Sequence, residues 1–144
     1  MSDFRTWPIR SSWMIRTDMI PIPIPVRILI AEDDAMIAMF LEELLEAMGH
    51  AVCAVVSDQA EVVAAAVEHR PDLMIIDEGL REGSGITAVI EILKIKFIPH
   101  IFSTGNDRRV LSYNPDAIVL QKPYSVQALN RAIERALEPI APPR

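Results

Sequence analysis

The chain has 144 residues, of which 51% are hydrophobic, and its formal net charge is −6. This length suits one compact domain with its own core and leaves little for a second. The acidic balance gives no reason to expect nucleic acid or an anionic membrane surface as a partner.

Cysteine and histidine usage points to an intracellular setting without a soft-metal site. Cys53 is the only cysteine, so no disulfide can form within the chain, and a reducing cytoplasm is the natural compartment. We expect it to be a buried structural thiol, because no CxxC or metal-ligand spacing surrounds it. His50, His69 and His100 are not paired at metal spacing, and we expect surface or boundary positions for them. No apolar run approaches the roughly 18 residues of a membrane span, and no signal peptide is evident.

Residues 1–25 are predicted to be an extension outside the folded domain. Residues 1–20 contain Trp7 and Trp13 with scattered arginines, and residues 21–25 alternate proline with isoleucine. Proline at every second position forbids a helix and removes ladder donors, so this run is typical of an extended linker. Two interpretations of residues 1–20 stay open: a disordered tail or over-long start, or a short segment that docks its tryptophans and arginines on a partner.

From Val26 onward, apolar runs typical of buried strands alternate with helical patterns. The predicted strands are 26–31, 51–56, 72–76, 98–103 and 117–120. The predicted helices are 35–48, 58–69, 86–95 and 125–137, with a brief, weak helix over 107–113. The apolar positions of the first helix are Met36, Ile37, Phe40, Leu41, Leu44, Leu45 and Met48. Five β/α repeats without hairpin signals predict an α/β fold with a doubly wound five-stranded parallel sheet over residues 26–138, followed by a tail at 139–144.

Polar side chains follow these strands at the points where the strands end. They are Glu32 and Asp33 after the first strand, Asp77 after the third, Thr104 after the fourth and Lys122 after the fifth. In open parallel sheets, ligands bind outside the carboxyl ends of the strands, so we expect these groups to converge on one edge. Carboxylates with water and phosphate oxygens are the ligands that Mg²⁺ (or Mn²⁺) prefers. The set therefore suits one metal ion, held by Glu32, Asp33 and Asp77, and one phosphoryl group.

Asp77 is the candidate nucleophile, because a carboxylate can attack phosphorus to give an aspartyl phosphate. Lys122 is expected to place its ammonium on the transferred group, and the Thr104 hydroxyl to donate to a phosphate oxygen. Each of these residues, considered alone, also has a non-functional interpretation: Asp77 as an acid that faces water, Thr104 as a turn hydroxyl and Lys122 as a surface lysine. Their matched positions on several strands favour the functional interpretation. Pro123 after Lys122 permits a cis peptide bond.

Four short motifs occur in sequence: ILIAEDD at 28–34, PDLMIID at 71–77 with Gly85, STG at 103–105 and QKPY at 121–124. In this order and spacing they resemble the receiver domain of two-component response regulators, over residues 26–137. The resemblance implies a flavodoxin-like (βα)₅ fold in which Asp77 accepts phosphate from a histidine kinase or phosphotransfer protein. It also implies that Glu32 and Asp33 organise Mg²⁺ directly or through water, that the Gly79 backbone carbonyl completes the metal shell, and that Thr104 and Lys122 contact the phosphoryl group.

The sequence departs from the family pattern around the site. Arg81 stands where the family usually has proline, so we expect a different path for the loop after Asp77. Val119 replaces the usual Tyr or Phe, so an aromatic switch cannot operate. The stretch 102–105 (FSTG) is similar to a subgroup with Phe-Ala-Thr-Gly, whose members are often single-domain and also lack the aromatic. We therefore expect phosphorylation to be transmitted by ordering of residues 105–113.

These observations favour a stand-alone or nearly stand-alone receiver that acts in the cytoplasm. It is expected to signal through contact with a downstream protein, or to pass its phosphate to a phosphotransfer histidine, without binding nucleic acid and without being a turnover enzyme. One alternative is a receiver-like adaptor that does not use phosphorylation. The other is an aspartate-nucleophile phosphohydrolase, although such enzymes favour a second aspartate two residues after the nucleophile and usually need a cap domain.

Overall fold

The computed structural model describes residues 25–138. The predictions for residues 1–24 and 139–144 lie outside this range. The strands are β1 (Arg27–Ala31), β2 (Ala51–Val56), β3 (Leu73–Asp77), β4 (His100–Thr104) and β5 (Val119–Gln121), and the helices are α1 (Ala35–Ala47), α2 (Gln59–His69), α3 (Gly85–Leu93), α4 (Arg108–Tyr113) and α5 (Val126–Leu137). Within 25–138, no helix combines the length and hydropathy required to cross a bilayer.

The five strands form one parallel sheet in the order β2-β1-β3-β4-β5. This confirms the predicted doubly wound fold. Strands β4 and β5 begin later than expected, for reasons visible in the backbone. Pro99 has no N–H to donate, and the Ala117 amide donates to the Asn114 carbonyl in a turn. The order of the strands reverses between β1 and β3, which is where such folds bind ligands.

Side-chain caps fix where the helices begin. Asp34 accepts hydrogen bonds from the first-turn amides of α1, while Asp58, Ser84 and Ser125 do the same for α2, α3 and α5. Helix α2 ends at Arg70, whose φ of 48° is left-handed. A side chain in that conformation costs about 1–2 kcal/mol relative to the right-handed one.

Two apolar layers cover the two faces of the sheet. Helices α1 and α5 pack on one face with Ile28 and Ile30 of β1, and α2, α3 and Val110 of α4 pack on the other with Leu29 and Ala31. Adjacent residues of a strand point to opposite faces, so a strand buried on both sides must be apolar throughout. This burial on both faces explains why the strands occur in the sequence as continuous apolar runs.

The apolar face predicted for α1 is only partly buried. Its packed side chains are Ala38, Leu41 and Leu45, whereas Met36 is 74% exposed and Phe40 is 67% exposed. The apolar pattern of this helix is wider than the stripe that faces the sheet. Helical spacing alone therefore overestimated how much of α1 enters the core.

Two other expectations need adjustment. His50 lies at the boundary between α1 and β2, as one of the two expected positions, but it is buried, and its Nδ1 accepts a hydrogen bond from the Val26 amide at 3.3 Å. Burial lowers the pKa of His50, which favours the neutral ring that this bond requires. Cys53 is half-buried, and burial raises the pKa of its thiol, so the residue is held in its less reactive protonated form.

Candidate functional site

The register of the sheet brings the predicted site residues to one edge. Ala31 of β1 pairs with Ile76 of β3, so Glu32 follows β1 beside Asp77 at the end of β3. Asp77 in turn pairs with Ser103, which places Thr104 next to it on β4. Thr104 pairs with Gln121, and Lys122 follows. The convergence predicted from strand ends is therefore present in the structure.

Three carboxylates form a compact cluster at this edge. One oxygen from each of Glu32, Asp33 and Asp77 lies within 4.8 Å of the others. Glu32 is buried, while Asp33 is exposed. Oxygen ligands around one Mg²⁺ lie about 2.0–2.1 Å from the ion, so opposite ligands are separated by about twice that distance. The cluster therefore has the chemistry and approximately the spacing of a magnesium shell.

Lys122 lies between two of these acids. Its Nζ donates to Glu32 Oε1 at 3.0 Å and to Asp77 Oδ2 at 3.1 Å. Burial disfavours the charged ammonium, but the two hydrogen bonds outweigh it and raise the pKa of Lys122. The lysine is thus a fixed positive charge that reaches the candidate nucleophile directly. The peptide bond between Lys122 and Pro123 is cis, in agreement with the form the sequence permits.

The buried Glu32 is the electrostatically costly member of the cluster. Burial raises its pKa from 4.5 to about 7, with a further contribution from Asp77, although hydrogen bonds from Lys122 and from the Asp34 amide oppose the shift. A carboxylate held out of water beside another acid favours either a proton or a cation. The site is therefore prepared for a positive charge beyond that of Lys122.

The backbone around Asp77 is closely packed. The Gly79 amide donates to Asp77 Oδ1 at 3.3 Å, so the group of Gly79 that contacts the aspartate is its N–H. The metal role expected for the Gly79 carbonyl stays a prediction. A Cβ at Gly85 would overlap the Asp77 carbonyl oxygen and come within 2.7 Å of the Ile76 side chain. The matching glycine at position 85 is thus required by the close approach of α3 to β3.

Thr104 lies next to Asp77, but its hydroxyl is engaged elsewhere. The Oγ1 atom donates to the Asn106 carbonyl at 3.0 Å and accepts from the Asn106 amide at 3.1 Å. These two bonds close a turn at the start of the β4–α4 loop. For the predicted contact with a phosphoryl group, the hydroxyl has to exchange at least one of them.

The loop after Asp77 is attached to the start of α2. Arg81 Nη2 donates to Asp58 Oδ2 at 2.9 Å, and the Arg81 amide donates to the Ser57 carbonyl. Gln59 adds two bonds, from its amide to the Glu82 carbonyl and from the Ser84 amide to its side chain at 3.1 Å. Arg81, which replaces the usual family proline, therefore helps to fix this loop.

Two further contacts near the site were not anticipated from the sequence. Gln121 Nε2 donates to the Gly105 carbonyl, and Arg109 lies 3.5 Å from Glu78 across the edge of the sheet. Both involve loop residues whose partners depend on the path of the chain. Position 119, where the family aromatic is missing, holds a half-buried valine on β5.

Comparisons with known proteins agree with this geometry. The family model described as the response regulator receiver domain matches residues 28–134. The transcriptional regulatory protein PdtaR of Mycobacterium tuberculosis is 36% identical over 118 residues, which cover 79% of this chain and 58% of PdtaR. The phyllosphere-induced regulator PhyR of Methylorubrum extorquens is 40% identical over 114 residues, which cover 76% of this chain and 43% of PhyR. The chain thus spans about half the length of the curated relatives it matches.

Solved structures give the same result at the level of the fold. The solution NMR structure of the receiver domain of Erythrobacter litoralis PhyR has a TM-score of 0.72 and 29% identity, covering 81% of this chain and 96% of that one. The response regulator domain of Thermotoga maritima CheB has a TM-score of 0.73 at 20% identity. The arrangement of strands and helices around the acidic edge is therefore the one found in these receiver domains.

Proposed function

Because this chain belongs to the response regulator receiver domain family of two-component signalling, we propose that Asp77 is phosphorylated by a histidine kinase or a histidine phosphotransfer protein. The single observation that carries the proposal is the position of Lys122, whose Nζ lies 3.1 Å from Asp77 and 3.0 Å from Glu32. A cation fixed between a candidate nucleophile and a second acid suits a reaction that brings further negative charge to this place.

In the proposed step, one oxygen of the Asp77 carboxylate attacks the phosphorus of a phosphohistidine. The new O–P bond forms as the P–N bond breaks, and the bond electrons return to the imidazole nitrogen. Phosphoryl transfer of this kind depends mainly on positioning and on neutralisation of charge. Here the Gly79 amide and Lys122 hold the two Asp77 oxygens, so the carboxylate is oriented before the donor arrives.

The acidic cluster supports a divalent cation in the same reaction. Glu32, Asp33 and Asp77 would hold Mg²⁺ or Mn²⁺, with the Gly79 carbonyl as a further ligand. When bound, the cation supplies charge that offsets repulsion between the carboxylates and the phosphoryl oxygens. The raised pKa of Glu32 supports this assignment, because a nearby cation favours the ionised form that burial disfavours.

The proposed output is contact with another protein in the cytoplasm, rather than turnover of a substrate. The domain presents its acidic edge to a donor protein, and the phosphorylated form is recognised by a downstream target or gives its phosphate to a phosphotransfer histidine. The curated relatives are longer than this chain, so the activities in their names are not assigned to it.

Mass spectrometry after incubation with Mg²⁺ and acetyl phosphate tests the proposal. We expect a gain of one phosphoryl group that is lost in Asp77→Asn and kept in Asp116→Asn, a matched change at an exposed aspartate on the α4–β5 turn. Lys122→Met should reduce the gain strongly while the chain stays folded.

The same experiment separates the alternatives. No mass gain with acetyl phosphate, phosphoramidate or a phosphorylated kinase would contradict the proposal and favour a receiver-like adaptor. Release of phosphate from unrelated esters over many turnovers, abolished in Asp77→Asn, would instead show a phosphohydrolase.

A further inference from the structure

An apolar groove lies between the carboxyl-terminal ends of α2 and α3, at the edge of the sheet opposite the acidic site. Its volume is about 310 Å³, and its apolar lining consists of Ala66, Val67, Pro71, Ile92, Ile95 and Ile98. Ile92 and Ile98 form a buried floor, whereas Val67 is 55% exposed and Ile95 is 66% exposed. Arg70 and Lys96 line the same groove. A site of this size with an apolar floor and a basic rim is suited to aliphatic side chains that lie near an acid.

We propose that this α2–α3 groove is the docking site of the chain's own amino-terminal segment, residues 13–24. The structure shows where that segment joins the domain. Arg27, at the start of β1, donates from Nη1 to the Arg70 carbonyl at 2.9 Å. Its amide donates to Asp72 Oδ2 at 2.9 Å, and its carbonyl accepts from the Asp72 amide. The chain therefore enters the domain beside Arg70 and Pro71, which are part of the groove wall.

The composition of the segment complements the groove. Residues 19–24 read MIPIPI, and the segment carries Arg16 and Asp18, of which Asp18 is nearer to the domain. Alternating prolines hold a chain extended and reduce the entropy lost when it binds. Extended residues advance about 3.1 Å each, so Asp18 can reach past the groove to the basic rim while the isoleucines lie over the apolar floor.

The covalent connection makes even a weak contact effective. A short linker gives a local concentration on the order of millimolar, so a groove affinity of about 0.1 mM would keep the segment docked in most molecules. The groove faces away from Asp77 and Lys122, so docking leaves the acidic edge open. The inference stands independently of the proposed phosphorylation.

Tryptophan fluorescence of the full chain tests the proposal, because both tryptophans, Trp7 and Trp13, lie in the amino-terminal part and none lies in residues 25–138. In a Trp7→Phe background, which leaves Trp13 of the proposed segment as the reporter, acrylamide quenching should be weaker than in the same protein with Ile95→Asp. Its quenching constant should be about half or less of the variant's, since most segments are docked. Phe40→Asp is the matched control: Phe40 is 67% exposed on α1 and Ile95 is 66% exposed. The control should be quenched like the wild type.

A second variant keeps the test valid if Ile95→Asp unfolds, as checked by circular dichroism. Ile20→Asp with Ile22→Asp changes only the segment and should raise quenching to the same level. It should also shift the amide resonances of Val67 and Lys96 but not that of Met36.

Three results would overturn the proposal. They are equal quenching in the wild type and Ile95→Asp, increased quenching in Phe40→Asp, and loss of protection on dilution of the wild type. The last result would mean that a second copy supplies the segment.

Discussion

We expect the buried carboxylate of Glu32 to make the domain less stable at neutral pH than it would be without that charge. Glu32 is 5% exposed, and Glu32→Gln keeps its shape and an oxygen for the Asp34 amide, which donates to Oε2 at 3.1 Å. Lys122 retains Asp77 as its partner in the variant. The substitution therefore removes mainly the charge.

The magnitude follows from the shift in pKa. The pKa of Glu32 rises from 4.5 to about 7, and each unit corresponds to about 1.4 kcal/mol. The ionised Glu32 therefore lowers the free energy of unfolding by at most about 3 kcal/mol. Since the folded state binds the proton more tightly, stability falls as pH rises from 4.5 to about 7, and the whole penalty is present above that range. We expect Glu32→Gln to stabilise the metal-free protein by about 1–3 kcal/mol near pH 8 and by less than about 1 kcal/mol near pH 5.

Urea unfolding in EDTA measures this difference, with Glu46→Gln as the control at an exposed glutamate of α1. Saturating Mg²⁺ should stabilise the wild type more than Glu32→Gln, because the variant lacks one proposed ligand. If Glu32→Gln raises the free energy of unfolding equally at both pH values, or does not raise it near pH 8, the electrostatic reasoning is refuted. An equal effect of Mg²⁺ on both proteins would refute the ligand assignment alone.

Three further predictions concern other parts of the domain. Gly85→Ala should destabilise it by about 1–3 kcal/mol in urea unfolding, because the methyl group overlaps the Asp77 carbonyl; a neutral effect would contradict this packing. Because burial lowers the pKa of His50, the contribution of its neutral ring to stability is lost as pH falls below 6.5. His50→Gln should therefore make the free energy of unfolding less dependent on pH in the acidic range. An unchanged dependence would show that other groups cause it. Hydrogen exchange over 105–113 should slow when beryllofluoride binds, and unchanged exchange there would remove the proposed read-out.

The fold and the composition of the site were predictable because both follow from short-range rules. Apolar runs of strand length alternate with helical patterns, and parallel strands end at a common edge. Glu32, Asp77 and Lys122 are far apart in sequence, yet each follows a strand directly. The strand order then determines which of them become neighbours. Knowing where each strand ended was therefore sufficient to expect their contact.

Contacts made by loops were not predictable in this way. The sequence indicated that Arg81 alters the loop after Asp77, but its partner is Asp58, at the start of a different helix. That pairing depends on how two loops pass each other, which no local pattern encodes. The exposure of Phe40 has a similar cause, because the width of the buried stripe on α1 is determined by the sheet beneath it and not by the helix's own sequence.

Without an aromatic residue at position 119, Thr104 connects the acidic edge with the loop that leads into α4, in addition to the contact between Arg109 of α4 and Glu78. Its hydroxyl closes the turn at Asn106 with two hydrogen bonds, and a phosphoryl group on Asp77, as proposed above, would compete for the same hydroxyl. Helix α4 has six residues, one buried side chain, and no side-chain hydrogen bond from its N-cap, Asp107, so local interactions contribute little to it. Under the proposed function, we therefore expect a change in the turn at Thr104 to alter the order of residues 105–113 without the rotation of an aromatic ring.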